Sequence, residues 1–302
     1  MKNKTNKKKQ SWDDRIFTAI CSILLFCFVF VVAYPIYFVL VASFTDPQYV
    51  NSGEILLYPK GFTLLGYEQV FANKQIWTGY ANTIFYTVSG TALGTGITIL
   101  AGYALSRKDL PGRKIIMKLI VFTMYFGGGM IPFYLVVKSL GMINSRTVMV
   151  LLGGVSAYNI IVVRSFMESS IPDELWDAAT IDGCGDGGFF AKIVLPLSKA
   201  VIAVMVLFIA VGYWNSYFNA MIFLTDSDKY PLQLVLRNIL LTASASSNTA
   251  ALTDPEASMR LEQAVQVIKY GIIVVSTAPI ICVYPFVQKY FVKGVMIGAV
   301  KG

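Results

Sequence analysis

Histidine is absent from the 302-residue chain. That removes the Ser-His-Asp triad, the Cys-His dyad and every histidine metal site at once. Charge is scarce as well. Asp, Glu, Lys and Arg supply 14% of the residues while apolar types supply 56%, and the mean hydropathy is +0.62. An ordinary soluble domain is about one quarter charged. Charges this sparse cannot solvate the surface of a single soluble core, so a soluble enzyme is excluded. A disordered chain is excluded too, because it would be poor in apolar residues. The four cysteines, Cys21, Cys27, Cys184 and Cys282, form neither a CxxC pair nor a secreted-type framework, and read as small apolar residues with no redox role. A Gly-x-x-x-x-Gly-Lys-Ser/Thr loop is also missing: the glycine cluster Gly127–Gly129 has no lysine after it. The chain has no loop of its own to cradle ATP phosphates.

Six charge-free apolar runs are present: Ile16–Thr45, Gln75–Ser106, Leu119–Val137, Thr147–Val163, Ala200–Thr225 and Tyr270–Gln288. A helix needs about 20 residues to cross the hydrocarbon core, and a lipid-exposed backbone must satisfy its own hydrogen bonds. The runs do not alternate as barrel strands would. The expected fold is an all-α integral membrane protein with six transmembrane helices. Basic residues set the orientation. Of the 25 lysines and arginines, 17 fall in the N-terminal tail, the second and fourth connections and the C-terminal tail. Both termini are therefore expected in the cytoplasm. Residues 1–14 read as a basic cytoplasmic tail and 15–302 as the membrane domain. The first run follows basic residues as a signal peptide does, but it is too long and lacks a small-x-small site, so it reads as a retained helix. The Lys-rich tail reads as an orientation signal beside anionic lipid, with nucleic-acid binding the weaker alternative.

Three connections exceed a simple turn: Asp46–Lys74 and Asp226–Lys269 outside, and Met167–Lys199 in the cytoplasm between helices four and five. The cytoplasmic one carries Ser169-Ser170-Ile171-Pro172-Asp173-Glu174-Leu175-Trp176-Asp177-Ala178-Ala179-Thr180-Ile181-Asp182-Gly183. Pro172 followed by two acids is a helix start, with the carboxylates at the positive end of the dipole. Gly183 stops the helix. A second short helix is expected from Asp186, with Phe189, Phe190, Ile193 and Val194 on one apolar face and Pro196 at its end. Amphipathic helices lying on lipid favour basic polar faces. Here the polar face holds Glu174, Asp177 and Asp182, which suits a protein partner with a complementary groove.

The segment Pro172–Pro196 resembles the EAA loop of ABC importer permeases, E-L-x-E-A-A-x-x-D-G, nine residues, then I-x-L-P. Glu174, Leu175, Asp177, Ala178, Ala179, Asp182, Gly183, Ile193, Leu195 and Pro196 occupy the matching positions. Asp177 stands where the family has glutamate, which keeps the charge on a shorter arm. Tyr34-Pro35, Trp214-Asn215 and the stretch Tyr284–Gly294 resemble the carbohydrate-uptake branch. Tyr125-Phe126-Gly127-Gly128-Gly129-Met130-Ile131-Pro132 resembles its oligosaccharide and polysaccharide subgroup.

The resemblance implies a permease subunit in a bacterial plasma membrane, paired with a second, similar permease. Two ATPase subunits carry ATP-Mg, and an extracellular binding protein delivers sugar. Glu174, Leu175, Asp177, Ala178, Ala179, Asp182 and Gly183 would couple to the ATPase. In maltose-type relatives the C-terminal tail reaches the ATPase, and Lys289–Gly302 is placed to do the same or to anchor on lipid. The chain itself is expected to hold no cofactor, no metal and no catalytic residue. In the fifth run, Trp214, Asn215, Tyr217 and Asn219 combine aromatic faces with amides at membrane depth, which is costly unless they face protein or a wet cavity. They are candidates for the cargo path, against the alternative of helix–helix hydrogen bonding. Gly127–Gly129 with Pro132 should break the third helix, either to expose backbone or, preferably, to allow close packing. Gly90, Gly94 and Gly96 are expected at a helix contact. The rivals are an ABC permease for a non-sugar solute and an ion-coupled secondary transporter. The latter has no acidic residue in any apolar run to support it.

Overall fold

A computed structural model describes residues 11–52, 57–250, 265, 268–282 and 285. The Lys-rich residues 1–10, the Tyr284–Gly294 stretch other than Pro285, and the C-terminal tail lie outside them. Among the described residues every regular element is a helix, and the chain divides into two compact units, Met1–Val70 with Ala243–Val274, and Phe71–Thr242 with Val275–Gly302.

The first unit is dominated by α1 (Trp12–Ser43). Ser11 and Asp14 form a reciprocal capping box at its start, satisfying two otherwise orphaned amides. An 18-residue window of the helix has a mean hydropathy of 2.9 and is exposed along its length, as a membrane-crossing segment would be. The helix becomes buried only at Val41, Ala42 and Ser43. There Phe44 stacks on Phe62 and lies tilted against Tyr67, whose hydroxyl is 2.7 Å from Ser43 Oγ. Asp46 caps the short α2 (Pro47–Asn51) by accepting from the Gln48 amide. The helix α3 (Leu65–Ala72) follows.

The second unit is built around α4 (Lys74–Ser106), which packs against α7 (Arg146–Leu151), α8 (Ala157–Ser170) and α12 (Lys199–Trp214). Its buried stripe is rich in small and polar residues, Gly79, Asn82, Thr83, Gly90, Gly94 and Gly102 among them, beside the buried Ile76, Tyr86, Ile99 and Leu105, while Trp77, Phe85, Val88 and Leu100 face outward. This inverts the soluble pattern. Against lipid there is no hydrophobic drive inward, so small residues that let backbones approach closely mark the contact. A Cβ on Gly90 would meet the Tyr213 ring at 2.2 Å, and one on Gly94 would meet the Gly154 carbonyl oxygen at 2.2 Å. Gly96 departs from the expectation: nothing lies within 4 Å of its Cβ position.

The apolar runs do not all form straight crossings. Among the described residues α1 and α4 are each long and apolar enough to span a membrane. The third run forms α5 (Arg113–Tyr125) and α6 (Met130–Ser139), bent by 116° at the glycines. Gly129 takes φ +85°, which few other residues adopt, and Pro132 has no amide to bridge the break. Gly127 and Gly128 have open space beside them, so these glycines serve the bend and not the close packing expected of them. The fourth run divides between α7 and α8, and the fifth between α12 and α13 (Phe218–Phe223).

At one end of this unit polar groups knit the chain together. Asn82 Nδ2 donates to the Asp228 and Tyr230 carbonyls at 2.8 and 3.1 Å, and the Tyr86 hydroxyl donates to Lys229 O at 2.8 Å. Asn144, at φ 57°, accepts from the Thr225 and Asp226 amides through Oδ1. These bonds hold the turn Ser227–Lys229 ahead of α14 (Leu232–Ala250). Asn82→Ala would strand two carbonyls that Asn82 now satisfies. It is expected to cost about 1–3 kcal/mol, read as a lower Tm of the purified protein, with Gln75→Ala as the surface control.

Candidate functional site

The candidate coupling helix is α9 (Asp173–Ile181), with Pro172 at its N-cap and Asp173 and Glu174 in its first turn. Its end is a Schellman motif. The Cys184 amide donates to Ala179 O at 2.8 Å and the Gly183 amide to Thr180 O at 3.0 Å, with Gly183 at φ +74°. Only Trp176 and Ala179 turn inward to any extent; Glu174, Leu175, Asp177, Ala178, Ile181 and Asp182 are exposed. The helix therefore presents acids interleaved with aliphatic side chains, Ile181 being 87% exposed.

Behind it, the chain runs through α10 (Asp186–Phe189), a wide π turn (Phe190–Val194) and α11 (Leu195–Leu197). In the π turn the Leu195 amide reaches back to Phe190 O, a geometry frequent at functional sites. Pro196 is followed at Ser198 by a 78° bend into α12. Phe189 and Val194 are buried, and Phe190 and Ile193 partly so, on the apolar face the sequence assigns to them. They join Ile99, Val163, Met167, Ala179, Val201 and Met205 in one core, so α9 sits on a packed block shared with α4, α8 and α12.

Side chains after α4 grip the outer helix. The Arg107 guanidinium lies 3.8 Å from the centroid of the Trp176 ring, and Phe189 meets that ring edge-on with centroids 5.0 Å apart. Burial opposes the Arg107 charge, yet its hydrogen bond to Asp109 holds the guanidinium above its ordinary value and pushes the Asp109 carboxyl down. Lys108 Nζ pairs with Asp173 Oδ2 at 2.5 Å. Below them a cleft of about 550 Å³ is bordered by Tyr103, Arg107, Arg113, Arg164, Glu168 and Trp176. Its cationic members were not legible as a group: they come from the end of α4, the start of α5 and α8, and only the i,i+4 spacing of Arg164 and Glu168 signalled a pair.

The four cargo-path candidates separate. Asn215, Tyr217 and Asn219 border a cleft of about 250 Å³ together with Met149, Gly153 and Tyr213. Asn215 Nδ2 also donates to Val211 O, closing the end of α12. Trp214 is not among the residues bordering that cleft, and its indole Nε1 donates to Ser276 O at 3.1 Å. Tyr213, which the sequence did not single out, is the buried member: its ring fills the space left by Gly90 and Gly153, and its hydroxyl donates to Val150 O at 2.5 Å.

No protein-family model matches the chain. Named relatives and a solved structure do. The chain is 41% identical over 289 residues to YtcP of Bacillus subtilis (strain 168), a polygalacturonan/rhamnogalacturonan transport system permease protein, covering 96% of this chain and 99% of that one. It is 40% identical over 272 residues to LplC of the same organism, 89% of each chain. It superposes, with a TM-score of 0.82 and 34% identity, on a chain in the crystal structure of a bacterial ABC transporter involved in the import of the acidic polysaccharide alginate, over 94% of this chain and 100% of that one. The chain belongs to the permease family of ABC transport systems, in its carbohydrate-uptake branch. It is a membrane protein and the transport subunit of such a system.

Proposed function

We propose that this permease imports an oligosaccharide across a bacterial plasma membrane as one of two similar, non-identical membrane subunits. In this reading it crosses the membrane six times with both termini in the cytoplasm, residues 1–14 forming the basic tail and 15–302 the membrane domain. An extracellular solute-binding protein delivers the cargo. Two separate ATPase subunits bind ATP-Mg and supply the free energy. The relatives' cargoes, polygalacturonan and rhamnogalacturonan for YtcP and arabinooligosaccharides for AraQ of Halalkalibacterium halodurans, support a sugar over a non-sugar solute.

The observation that carries the mechanism is the outward face of α9, with exposed Leu175 and Ile181 flanked by Glu174, Asp177 and Asp182. In the loop of about residues 167–199, this face docks in a groove on the ATPase. Closing of the ATPase pair moves α9 as a rigid body, and the packed block behind it carries the motion into α4, α8 and α12. The nucleotide drives the cycle only by binding one conformation better than the other. Asn215, Tyr217 and Asn219 border the cargo path, with Trp214 supporting it from behind.

The test is copurification of the chain with its gene neighbours. ATPase activity is then assayed with the cognate binding protein against a panel of uronic-acid and neutral oligosaccharides. A chain that associates with no ATP-hydrolysing protein, or a system stimulated only by non-sugar solutes, refutes the reading. Gly183→Asp probes the docking geometry. Open space surrounds a Cβ at this position, so the cost is conformational, about 1–2 kcal/mol. The added carboxylate also sits at the negative end of the α9 dipole. Uptake is expected to fall to background while membrane content on an immunoblot stays normal; wild-type uptake would remove Gly183 from the coupling element.

A further inference from the structure

Two arginines converge on one backbone carbonyl beneath α9. Arg113 Nε donates to Leu105 O at 2.8 Å and Arg164 Nε to the same oxygen at 3.2 Å. Leu105 lies in the last turn of α4, where carbonyls lack partners within the helix, so the arrangement satisfies an orphan acceptor. Two guanidiniums at one acceptor repel. A single oxygen, Glu168 Oε1, pairs with both, with Arg164 Nη2 at 2.8 Å and with Arg113 Nη2. The three side chains are 20–29% exposed, whereas the neighbouring Lys108–Asp173 pair is 64–74% exposed. The clamp is thus the better shielded of the two ties, and exposed pairs contribute little.

Its position gives it a role. Glu168 lies in the last turn of α8, and only Ile171 and Pro172 separate α8 from α9. Whatever fixes Glu168 fixes the root of the ATPase-facing helix. Arg113 opens α5 and Leu105 lies in the last turn of α4, so the ends of α4, α5 and α8 meet at this clamp just ahead of α9. α9 keeps its own internal order through the Schellman turn and the Trp176–Phe189 contact, which do not involve Glu168.

Resting on α9 as the ATPase-docking helix, we propose that Glu168 is a positioning residue that locks the root of α9 to the cytoplasmic end of α4 by neutralising Arg113 and Arg164 at the Leu105 carbonyl. Removing its charge leaves the two guanidiniums facing each other, the clamp opens, and ATPase closure moves α9 while α4 follows less closely, through the packed block alone. Hydrolysis continues and transport does not follow it.

The experiment uses the complete transporter in proteoliposomes, with partner permease, ATPases and cargo-loaded binding protein, and reads sugar taken up per ATP hydrolysed. Glu168→Gln is expected to retain the ATPase and hydrolyse ATP while uptake per ATP falls about tenfold. Adding Arg113→Gln removes one of the opposed charges and is expected to restore most of the lost ratio, which a merely structural defect would not show. An unchanged ratio in Glu168→Gln, or a double variant no better than the single, overturns the proposal. Should Glu168→Gln fail to assemble, the double variant decides: recovery of assembly supports charge repulsion at the clamp, and no recovery refutes it. A wild-type chain that does not retain the ATPase is a failure of the docking reading instead, and the wild-type control separates the two.

Discussion

Gly94→Leu is expected to remove the folded permease from the membrane, whereas Gly96→Leu, two residues along the same helix, leaves it intact. A Cβ at Gly94 falls 2.2 Å from Gly154 O and 2.6 Å from Gly154 Cα. Both are backbone atoms, so no rotamer change relieves the clash and α4 must separate from the Gly153–Gly154 segment. Overpacking a core costs about 1–3 kcal/mol where side chains can yield; against backbone the cost lies at or beyond the top of that range. Most natural domains have only about 5–15 kcal/mol in hand. Separation would also unseat Tyr213, whose hydroxyl hydrogen-bonds to Val150 O and whose ring lies against Gly153. At Gly96 the Cβ position meets nothing within 4 Å, and leucine there adds apolar surface to the exposed side of the helix. Membrane content and the Tm of purified protein measure the contrast; equal loss in both variants, or in neither, contradicts the packing described.

Ile181→Asp is expected to abolish ATPase retention without lowering the Tm of the isolated permease. Ile181 is 87% exposed, so its side chain contributes almost nothing to this chain's own core. Burying an isoleucine side chain in a partner is worth about 1.5–3 kcal/mol, and replacing it with a carboxylate adds an unpaired charge to the interface. A loss of about 3 kcal/mol weakens association by roughly 150-fold. Copurification at matched expression and differential scanning of the permease alone provide the two readings. A destabilised chain would mean that Ile181 packs internally; undiminished ATPase retention would mean that this face of α9 is not the docking surface.

The contrast between Gly94 and Gly96 shows where reading from sequence stops. Both are glycines in one apolar run, and both were expected at a helix contact. Which of them meets a neighbour depends on the rotation of α4 against α7 and α12, a property of the packed bundle. The same holds for Gly127–Gly129. The triplet with Pro132 foretold a break, but a bend and a close approach have the same local signature. Trp214 and Tyr213 make the point for the cargo-path segment. Adjacent residues on a helix point about 100° apart. The order of aromatics could not say that Tyr213 would fill the glycine notch and Trp214 would reach the Ser276 carbonyl.

Composition and spacing alone established that this is an all-α membrane chain. They also located α9 with its start at Pro172 and its stop at Gly183, within a segment that resembles the EAA loop of ABC permeases. Those properties are local: burial of apolar length, dipole-matched charge and the handedness a glycine permits are each decided within a few residues. The tertiary structure alone brought Arg113 and Arg164 to Leu105 O beside Glu168 and seated Arg107 on Trp176. Such arrangements join segments tens of residues apart, and their geometry follows from how helices pack.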